Sequence, residues 1–238
     1  MAITRNSNNG LISDWYDGFS AHQVKLGINI RHRTILRNAR NAGLRDGSRV
    51  LEIGCGIGTV TSLLAKAVPN GRILAVDISP KSIEIASQNL RKYGQVEFLV
   101  SDMRDFEVTH RYDLVVLPDV IEHIPLVDHA RLFATIARHM APDGRVLINV
   151  PNAELLEYLH VHDPSVLQVL DQPVHLDRLI TTTYAAGLVL ESLTSYGLQF
   201  AHVEYHSIVL RPAFSLDGLV RKGKWSLRWA ELRSRLPW

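Results

Sequence analysis

Three glycines at alternate positions, Gly54, Gly56 and Gly58, follow an apolar run at residues 50–53. The run predicts a strand and the residues after Gly58 predict a helix, so the glycines form the turn where a doubly wound sheet binds nucleotide-like ligands. Such a turn can also serve only close packing of the backbone. Glu52 narrows the choice, because a carboxylate disfavours a diphosphate and suits a ligand with sulfonium and ammonium groups.

Two more acidic residues follow the next two predicted strands. Asp77 ends the second strand, 19 residues after Gly58, where a carboxylate can accept the hydroxyls of a ribose. Asp102 follows the third strand and could accept the exocyclic amine of an adenine held between Ile78 and Met103. Either aspartate alone could be a helix N-cap. Three carboxylates at the ends of three successive strands favour a ligand site.

A further group of polar residues, Asp119, Glu122 and His123, follows the fourth predicted strand. If a helical turn begins near Asp119, the three side chains share one face. In one hypothesis His123 is a general base, oriented by Glu122 or Asp119. In another, the three residues and His175 bind a divalent cation that acidifies a hydroxyl. The third alternative is a capping aspartate beside surface residues.

The substrate is expected to meet these groups from the side formed by the N-terminal segment and the residues after the fifth strand. The candidate substrate residues are Tyr16, Asn152, Tyr158 and His175, with Trp15, His160 and His162 as further candidates. Aromatic and imidazole groups suit a polar small molecule such as a sugar or a phenol. Ordinary packing or surface exposure is the alternative for each of them.

Short β-branched runs alternate with helical segments from residue 49 to residue 150, which predicts an α/β fold with a doubly wound, mostly parallel sheet. The expected strands are 50–53, 73–76, 96–100, 114–117 and 146–150, with later ones near 188–194 and 200–210, and the expected helices are 60–68, 80–93, 129–140 and 176–186. Residues 142–144 predict a turn. The expected divisions are a helical N-terminal lid at 1–45, a ligand-binding domain at 46–210 with a substrate-side insertion at 151–187, and a basic tail at 211–238.

The composition indicates an ordinary globular protein. The chain has 238 residues, of which 46% are hydrophobic and 21% charged, with a net charge of +2. That charge is too small to coat the surface with a field that attracts nucleic acid. Cys55 is the single cysteine, and no apolar run approaches the ~20 residues of a membrane span. With no apolar signal at the N-terminus, we expect a cytoplasmic protein.

The tail has its own charge pattern, with seven basic and two acidic residues in 211–238. Trp225, Trp229, Leu232 and Leu236 would share one stripe of a helix. Such a basic amphipathic helix suits an anionic membrane surface. Packing on the body or on a second subunit of a homodimer is the favoured alternative, since Gly223 would interrupt a free helix at a cost of about 1 kcal/mol.

In these motifs the chain resembles the class I S-adenosylmethionine-dependent methyltransferases, and within them the O-methyltransferases of ubiquinone biosynthesis. The resemblance covers residues 49–150 and extends more weakly to residue 210. It implies a seven-stranded Rossmann-like sheet with an antiparallel last strand. It also implies that the glycine loop with Glu52 holds the methionine moiety, that Asp77 holds the ribose and that Asp102 and Met103 hold the adenine. The full set expected at the cofactor is Glu52, Gly54, Gly56, Gly58, Asp77, Ile78, Asp102, Met103 and Pro118.

The segment at residues 119–123 resembles the Glu-X-X-Glu-His element of metal-dependent methyltransferases, which add a histidine downstream; His175 would be its counterpart here. Asp119 departs from that pattern, which has Glu at this place. The expected function is O-methylation of a small molecule, with a divalent metal as an optional partner. The alternatives are N-methylation of a small molecule, 2′-O-methylation of RNA, and binding of the cofactor without turnover.

Overall fold

The computed structural model describes residues 27–103, 106–108, 110–168 and 170–214, together with the single residues 223, 226 and 233. The expectations for Trp15 and Tyr16, and for the tryptophans and leucines of the tail, lie outside these residues. The described part of the chain contains no helix with the length and apolar character needed to cross a bilayer.

A seven-stranded sheet forms the centre of the described structure. Its strand order is β3-β2-β1-β4-β5-β7-β6, and β7 is antiparallel to both of its neighbours, whereas the other paired strands are parallel. The strands are β1 (Arg49–Ile53), β2 (Arg72–Asp77), β3 (Val96–Val100), β4 (Tyr112–Pro118), β5 (Met140–Pro151), β6 (Leu188–Tyr196) and β7 (Tyr205–Pro212). The predicted doubly wound sheet with an antiparallel last strand is confirmed.

Helices cover both faces of this sheet, as its parallel strands require. They are α1 (Ile30–Asn41), α2 (Thr59–Ala67), α3 (Pro80–Leu90), α4 (His129–His139), α5 (Ala153–His162) and α6 (Leu176–Ala185), with short 3₁₀ turns at Ile121–His123, Leu126–Asp128 and Pro164–Val166. The start of α3 follows from its sequence: the Ser79 side chain accepts a hydrogen bond from the backbone N–H of Ser82, and Pro80 takes the first helical position.

The turn expected at residues 142–144 was wrong. β5 begins at Met140, and its pairing with β4 slips, because Met140 lies opposite Tyr112 while Arg145 lies opposite Leu114. The extra residues therefore form an irregularity within the strand instead of a turn before it. The boundary of the tail also moves, since β7 continues to Pro212.

Alternate residues of the central strands fill two separate cores, one on each face of the sheet. Leu51, Val115 and Ile148 pack in one core with Phe133 of α4, and their strand neighbours pack in the other with α1 and α2. The two cores hold the central strands rigid, so the loops at their carboxyl ends have fixed starting points.

α1 is anchored to the second core by one face. Ile35 and Ala39 are fully buried there, since residues four apart share a helix face, whereas Ile30 on the same helix is 62% exposed. At its start, Asn29 and His32 form a reciprocal capping box. α1 is therefore part of the folded domain.

We expect Ile35→Ala to lower the free energy of unfolding by about 2–5 kcal/mol, because it leaves a cavity in a packed core. The matched control Ile30→Ala should change it by no more than about 0.5 kcal/mol. Urea denaturation followed by circular dichroism measures both. Equal effects of the two substitutions would show that α1 is not packed on the sheet.

Candidate active site

A cavity of about 760 Å³ lies at the carboxyl edge of the sheet, where the parallel strands end. This volume is in the range of sites for small molecules and cofactors. Every residue expected at the cofactor lines it except Gly58. The loops after β1, β2, β3 and β4 meet here because parallel strands end at the same edge.

The glycine loop has a backbone that favours glycine. Gly54, Gly56 and Gly58 have φ angles of 75°, 53° and 85°, which L side chains rarely adopt. A Cβ on Gly54 would lie 2.4 Å from a methyl group of Val120. A Cβ on Gly58 would lie 2.8 Å from Leu90 of α3, so Gly58 serves close packing of the loop rather than the cavity wall.

Asp77 braces the glycine loop from the neighbouring strand. Its Oδ2 accepts a hydrogen bond of 2.8 Å from the N–H of Gly56, and its Oδ1 accepts one of 2.9 Å from the N–H of Ser79. Each oxygen of a carboxylate can accept more than one hydrogen bond. Asp77 can therefore hold the loop and accept ribose hydroxyls as well.

Glu52 is a fully buried carboxylate in the wall of the cavity. Within the described part of the chain, neither carboxylate oxygen has a hydrogen bond of normal geometry, and the nearby hydroxyl of Thr61 offsets the effect of burial on the pKa only in part. Burial raises the pKa of Glu52 to about 8. A buried carboxylate without a cationic partner fits a ligand that brings a cation, so the site suits the ammonium group of S-adenosylmethionine.

Asp119 belongs to a polar network that reaches from α1 to β6. Its Oδ2 lies 3.1 Å from Nε of Arg31, and its Oδ1 accepts a hydrogen bond from the amide of Asn149. Asn149 in turn accepts one from the hydroxyl of Tyr196, and Arg31 lies against the ring of Tyr205. These partners hold Asp119, so it is not the residue that orients the histidine.

The expected helical turn begins later than the sequence suggested. Asp119 has a left-handed backbone with φ of 56°, and the 3₁₀ turn starts at Ile121. Glu122 and His123 therefore share the turn with each other but not with Asp119. The strained backbone turns the Asp119 side chain towards Arg31, away from the expected shared face.

Glu122 and His123 form a buried acid–base pair. Asp171, from the segment between α5 and α6, also contacts the ring of His123. Nδ1 of His123 lies 3.1 Å from Oδ1 of Asp171, and Nε2 lies 3.8 Å from Oε1 of Glu122. Burial raises the pKa of Glu122 to about 8. Burial lowers the pKa of His123, but Glu122 and Asp171 outweigh it and raise that pKa to about 9. The pair therefore retains a proton at neutral pH.

The set expected to bind a metal does not fit one. Asp119 is held by Arg31 and Asn149, and Nε2 of His175 lies 3.1 Å from Oε1 of Glu157, away from the cavity lining. In the ranges that the structure describes, no group of three or more His, Cys, Asp or Glu residues could hold a metal ion.

The described substrate candidates do not line the cavity. Asn152 caps α5, where its side chain accepts a hydrogen bond from the N–H of Glu154. Tyr158 stacks on His162 with ring centroids 4.0 Å apart, and both face away. The face of α5 that lines the cavity is apolar and consists of Leu155, Leu156 and Leu159. Sequence reasoning chose the wrong face of this helix.

The cavity residues that the sequence did not reveal include Arg31, Asp171 and Tyr205. Arg31 is one residue of a basic helix and Tyr205 one residue of a strand, and neither stands out from its neighbours. Asp171 lies in a segment with no periodic pattern. Their positions depend on contacts across the fold.

Residues 50–144 match the family model described as a methyltransferase domain. One curated relative is trans-aconitate 2-methyltransferase of Azoarcus sp., 34% identical over 45% of this chain and 41% of its own length. Another is a ubiquinone biosynthesis O-methyltransferase of Aromatoleum aromaticum, 33% identical over 50% of each chain. The chain thus spans about half the length of these relatives or less.

A solved structure with the same fold is the N-methyltransferase NodS from Bradyrhizobium japonicum in complex with S-adenosyl-L-homocysteine. It aligns with a TM-score of 0.62 at 20% identity, over 76% of this chain and 85% of the other. The similarity agrees with the sheet order and with a cavity at the carboxyl edge.

We expect Glu52→Gln to stabilise the protein without cofactor at high pH. The pKa of Glu52 is raised on folding, so the folded state binds its proton more tightly than the unfolded state between pH 4.5 and about 8. Stability therefore falls as the pH rises through this window, by about 1.4 kcal/mol per pH unit at most. The glutamine variant lacks this loss, so its Tm should exceed that of the wild type at pH 8.5 by several degrees and approach it at pH 5.

The same substitution should weaken S-adenosyl-L-homocysteine binding at least tenfold in calorimetry, because it removes the carboxylate that we expect to face the ammonium group. Glu97→Gln is a matched control, since that side chain is 69% exposed on β3. An unchanged affinity in Glu52→Gln would contradict the role of Glu52 at the cofactor.

Proposed function

We propose that this chain, whose residues 50–144 form a class I S-adenosylmethionine-dependent methyltransferase domain, transfers a methyl group to a hydroxyl of a small molecule. The observation that carries the proposal is the buried pair of Glu122 and His123, which opens on the same cavity as the glycine loop and Glu52. A site that binds the cofactor without turnover would have no need of a buried base beside it.

Three carboxylates with separate tasks support the assignment of the cofactor half of the cavity. Glu52 suits the ammonium group, Asp77 the ribose hydroxyls, and Asp102 with Met103 the adenine. The bound cofactor supplies an electrophilic methyl carbon on a sulfonium. The residues of this chain contribute by holding the acceptor in line with that carbon, which removes most of the entropic cost of the encounter.

A hydroxyl becomes a good nucleophile only when its proton is removed. In the proposed reaction the acceptor oxygen would bond to the methyl carbon as the bond of that carbon to sulfur breaks and leaves its electron pair on sulfur. His123 would take the hydroxyl proton. Because Glu122 and Asp171 raise the pKa of His123 to about 9, the imidazole is a strong base once it is neutral. The rate should therefore rise with pH between 7 and about 9.

Methyl transfer to an amine is the second candidate, because the cavity wall is acidic. Its described lining has Arg31 as its one lysine or arginine, and Asp119 pairs with that residue. The acidic residues of the lining are Glu52, Asp77, Asp102, Asp119, Glu122, Asp128, Asp171 and Glu204. Glu122 or Asp171 could hold an ammonium group near the methyl carbon. O-methyltransferases and an N-methyltransferase are both among the similar proteins.

We expect His123→Ala to lower kcat for a hydroxyl acceptor by about 100-fold or more, while the affinity for S-adenosyl-L-homocysteine stays within about twofold. Release of S-adenosyl-L-homocysteine measures turnover with acceptors matched in shape, such as phenol with aniline and benzyl alcohol with benzylamine. His162→Ala is the matched control, because that ring lies outside the cavity.

A His123→Ala activity within a few-fold of the wild type would remove His123 from the catalytic machinery. Turnover of the amines alone, unaffected by His123→Ala, would replace O-methylation by the second candidate.

A further inference from the structure

We propose that Asp171 is a positioning residue that fixes the ring of His123 and, together with the backbone oxygen of Leu170, the nitrogen on which the ring carries its hydrogen. The segment between α5 and α6 thereby completes the active site from outside the methyltransferase core. The inference rests on the proposed function only in taking His123 as the base. Asp171 is not among the residues expected at the cofactor, so this role is separate from cofactor binding.

Two acceptors on this segment face the same nitrogen of His123. Oδ1 of Asp171 lies 3.1 Å from Nδ1, and the backbone oxygen of Leu170 lies 2.5 Å from it. A carboxylate and a carbonyl oxygen can only accept, so Nδ1 must carry a hydrogen. In the neutral ring Nε2 is then the basic nitrogen, which is the atom that takes the proton of the acceptor.

The Asp171 side chain is itself fixed by hydrogen bonds. Its Oδ2 accepts a bond of 2.6 Å from the N–H of Gln168, so Oδ1 is turned towards the histidine. Its backbone oxygen lies 2.6 Å from Nε2 of His160. The Asp171 and His123 side chains are each only 9% exposed. In a site with so little water, a charged hydrogen bond orients its partner more strongly than it would at the surface.

Gln172 fastens the segment to the turn that carries the base. Its N–H donates to the backbone oxygen of Glu122 at 3.0 Å, and its side-chain amide donates to that of Ile124 at 2.9 Å. These bonds lie on either side of His123 in sequence. These two bonds fix the position of the segment relative to the turn. Asp171 therefore stays beside the imidazole of His123.

If Asp171 served only to stabilise the local turn, one carboxylate oxygen would be enough. The bond from Gln168 closes a local turn, and an asparagine could preserve it. The contact of the second oxygen with a buried imidazole goes beyond a turn. Among the residues that the structure describes, Glu122 from its own turn and Asp171 from this segment are charged groups that face the ring. Asp119 pairs with Arg31 instead.

The test compares Asp171→Asn with the wild type in the full chain labelled with ¹⁵N-histidine. Long-range ¹H–¹⁵N spectra report the protonated nitrogen and the titration of each ring, and the signal absent from His123→Gln identifies His123. These spectra can be recorded without a methyl acceptor. We expect the Nδ1–H form in the neutral wild-type ring, and a midpoint lower by about one pH unit or more in Asp171→Asn, since an opposite charge has been removed.

Kinetics give the second readout. Asp171→Asn should lower the pH at which kcat rises and lower the plateau of kcat at least tenfold, with the acceptor KM and the S-adenosyl-L-homocysteine affinity within about twofold. Asp177→Asn is the matched control on α6 and should leave the His123 titration unchanged. Asp171→Ser, which keeps an acceptor for the turn, is the second variant if the asparagine protein fails to fold.

An unchanged titration midpoint of His123 in Asp171→Asn, or in Asp171→Ser where the asparagine protein fails to fold, would overturn the inference. That failure is distinct from a failure of the proposed function, which shows itself as a His123→Ala enzyme of nearly full activity. The spectra test whether Asp171 fixes the ring, whether or not His123 is the catalytic base. The loss of kcat then links this positioning to turnover.

Discussion

Burial of negative charge at one edge of the sheet is the constraint on which the described structure depends. Glu52 and Glu122 are withdrawn from water, and that costs free energy unless a cation or a proton compensates. The core on each face of the sheet supplies the stability that tolerates this cost. Where His123 is the compensating group for Glu122, the protein provides its own cation; where Glu52 stands without a cationic partner in the described chain, a ligand must bring one.

The network around Asp119 solves the same problem by another route. Arg31 comes from α1, outside the alternating strands and helices, and neutralises a carboxylate at the end of β4. The amide of Asn149, on β5, donates a hydrogen bond to the other oxygen of Asp119, and Tyr196, on β6, donates one to Asn149. The helix before the sheet is therefore joined to its catalytic edge by charge as well as by the apolar contact of Ile35.

The sequence allowed the fold to be predicted, and with it the position of three acidic residues at the carboxyl edge, because both depend on local patterns. Runs of β-branched residues mark strands, and the residues at the end of each run reach the carboxyl edge whatever the rest of the chain does. The positions of Glu52, Asp77 and Asp102 in the cavity lining follow from this rule. The substrate side has no such rule. Asn152, Tyr158 and His175 have suitable chemistry, but the rotation of α5 turns leucines to the cavity, and the partner of His123 comes from a segment without periodicity.

The antiparallel course of β7 determines where the chain leaves the sheet. Tyr205 pairs with Pro151 at the carboxyl edge, and Leu210 pairs with Val146 further towards the other edge, so the strand runs away from the cavity. Pro212 lies opposite Leu188, at the far end of β6. A linker joined after residue 214 would thus start on the side opposite to the ligand entrance. Anchoring the protein to a sensor surface through such a linker would leave the mouth of the cavity facing the solution.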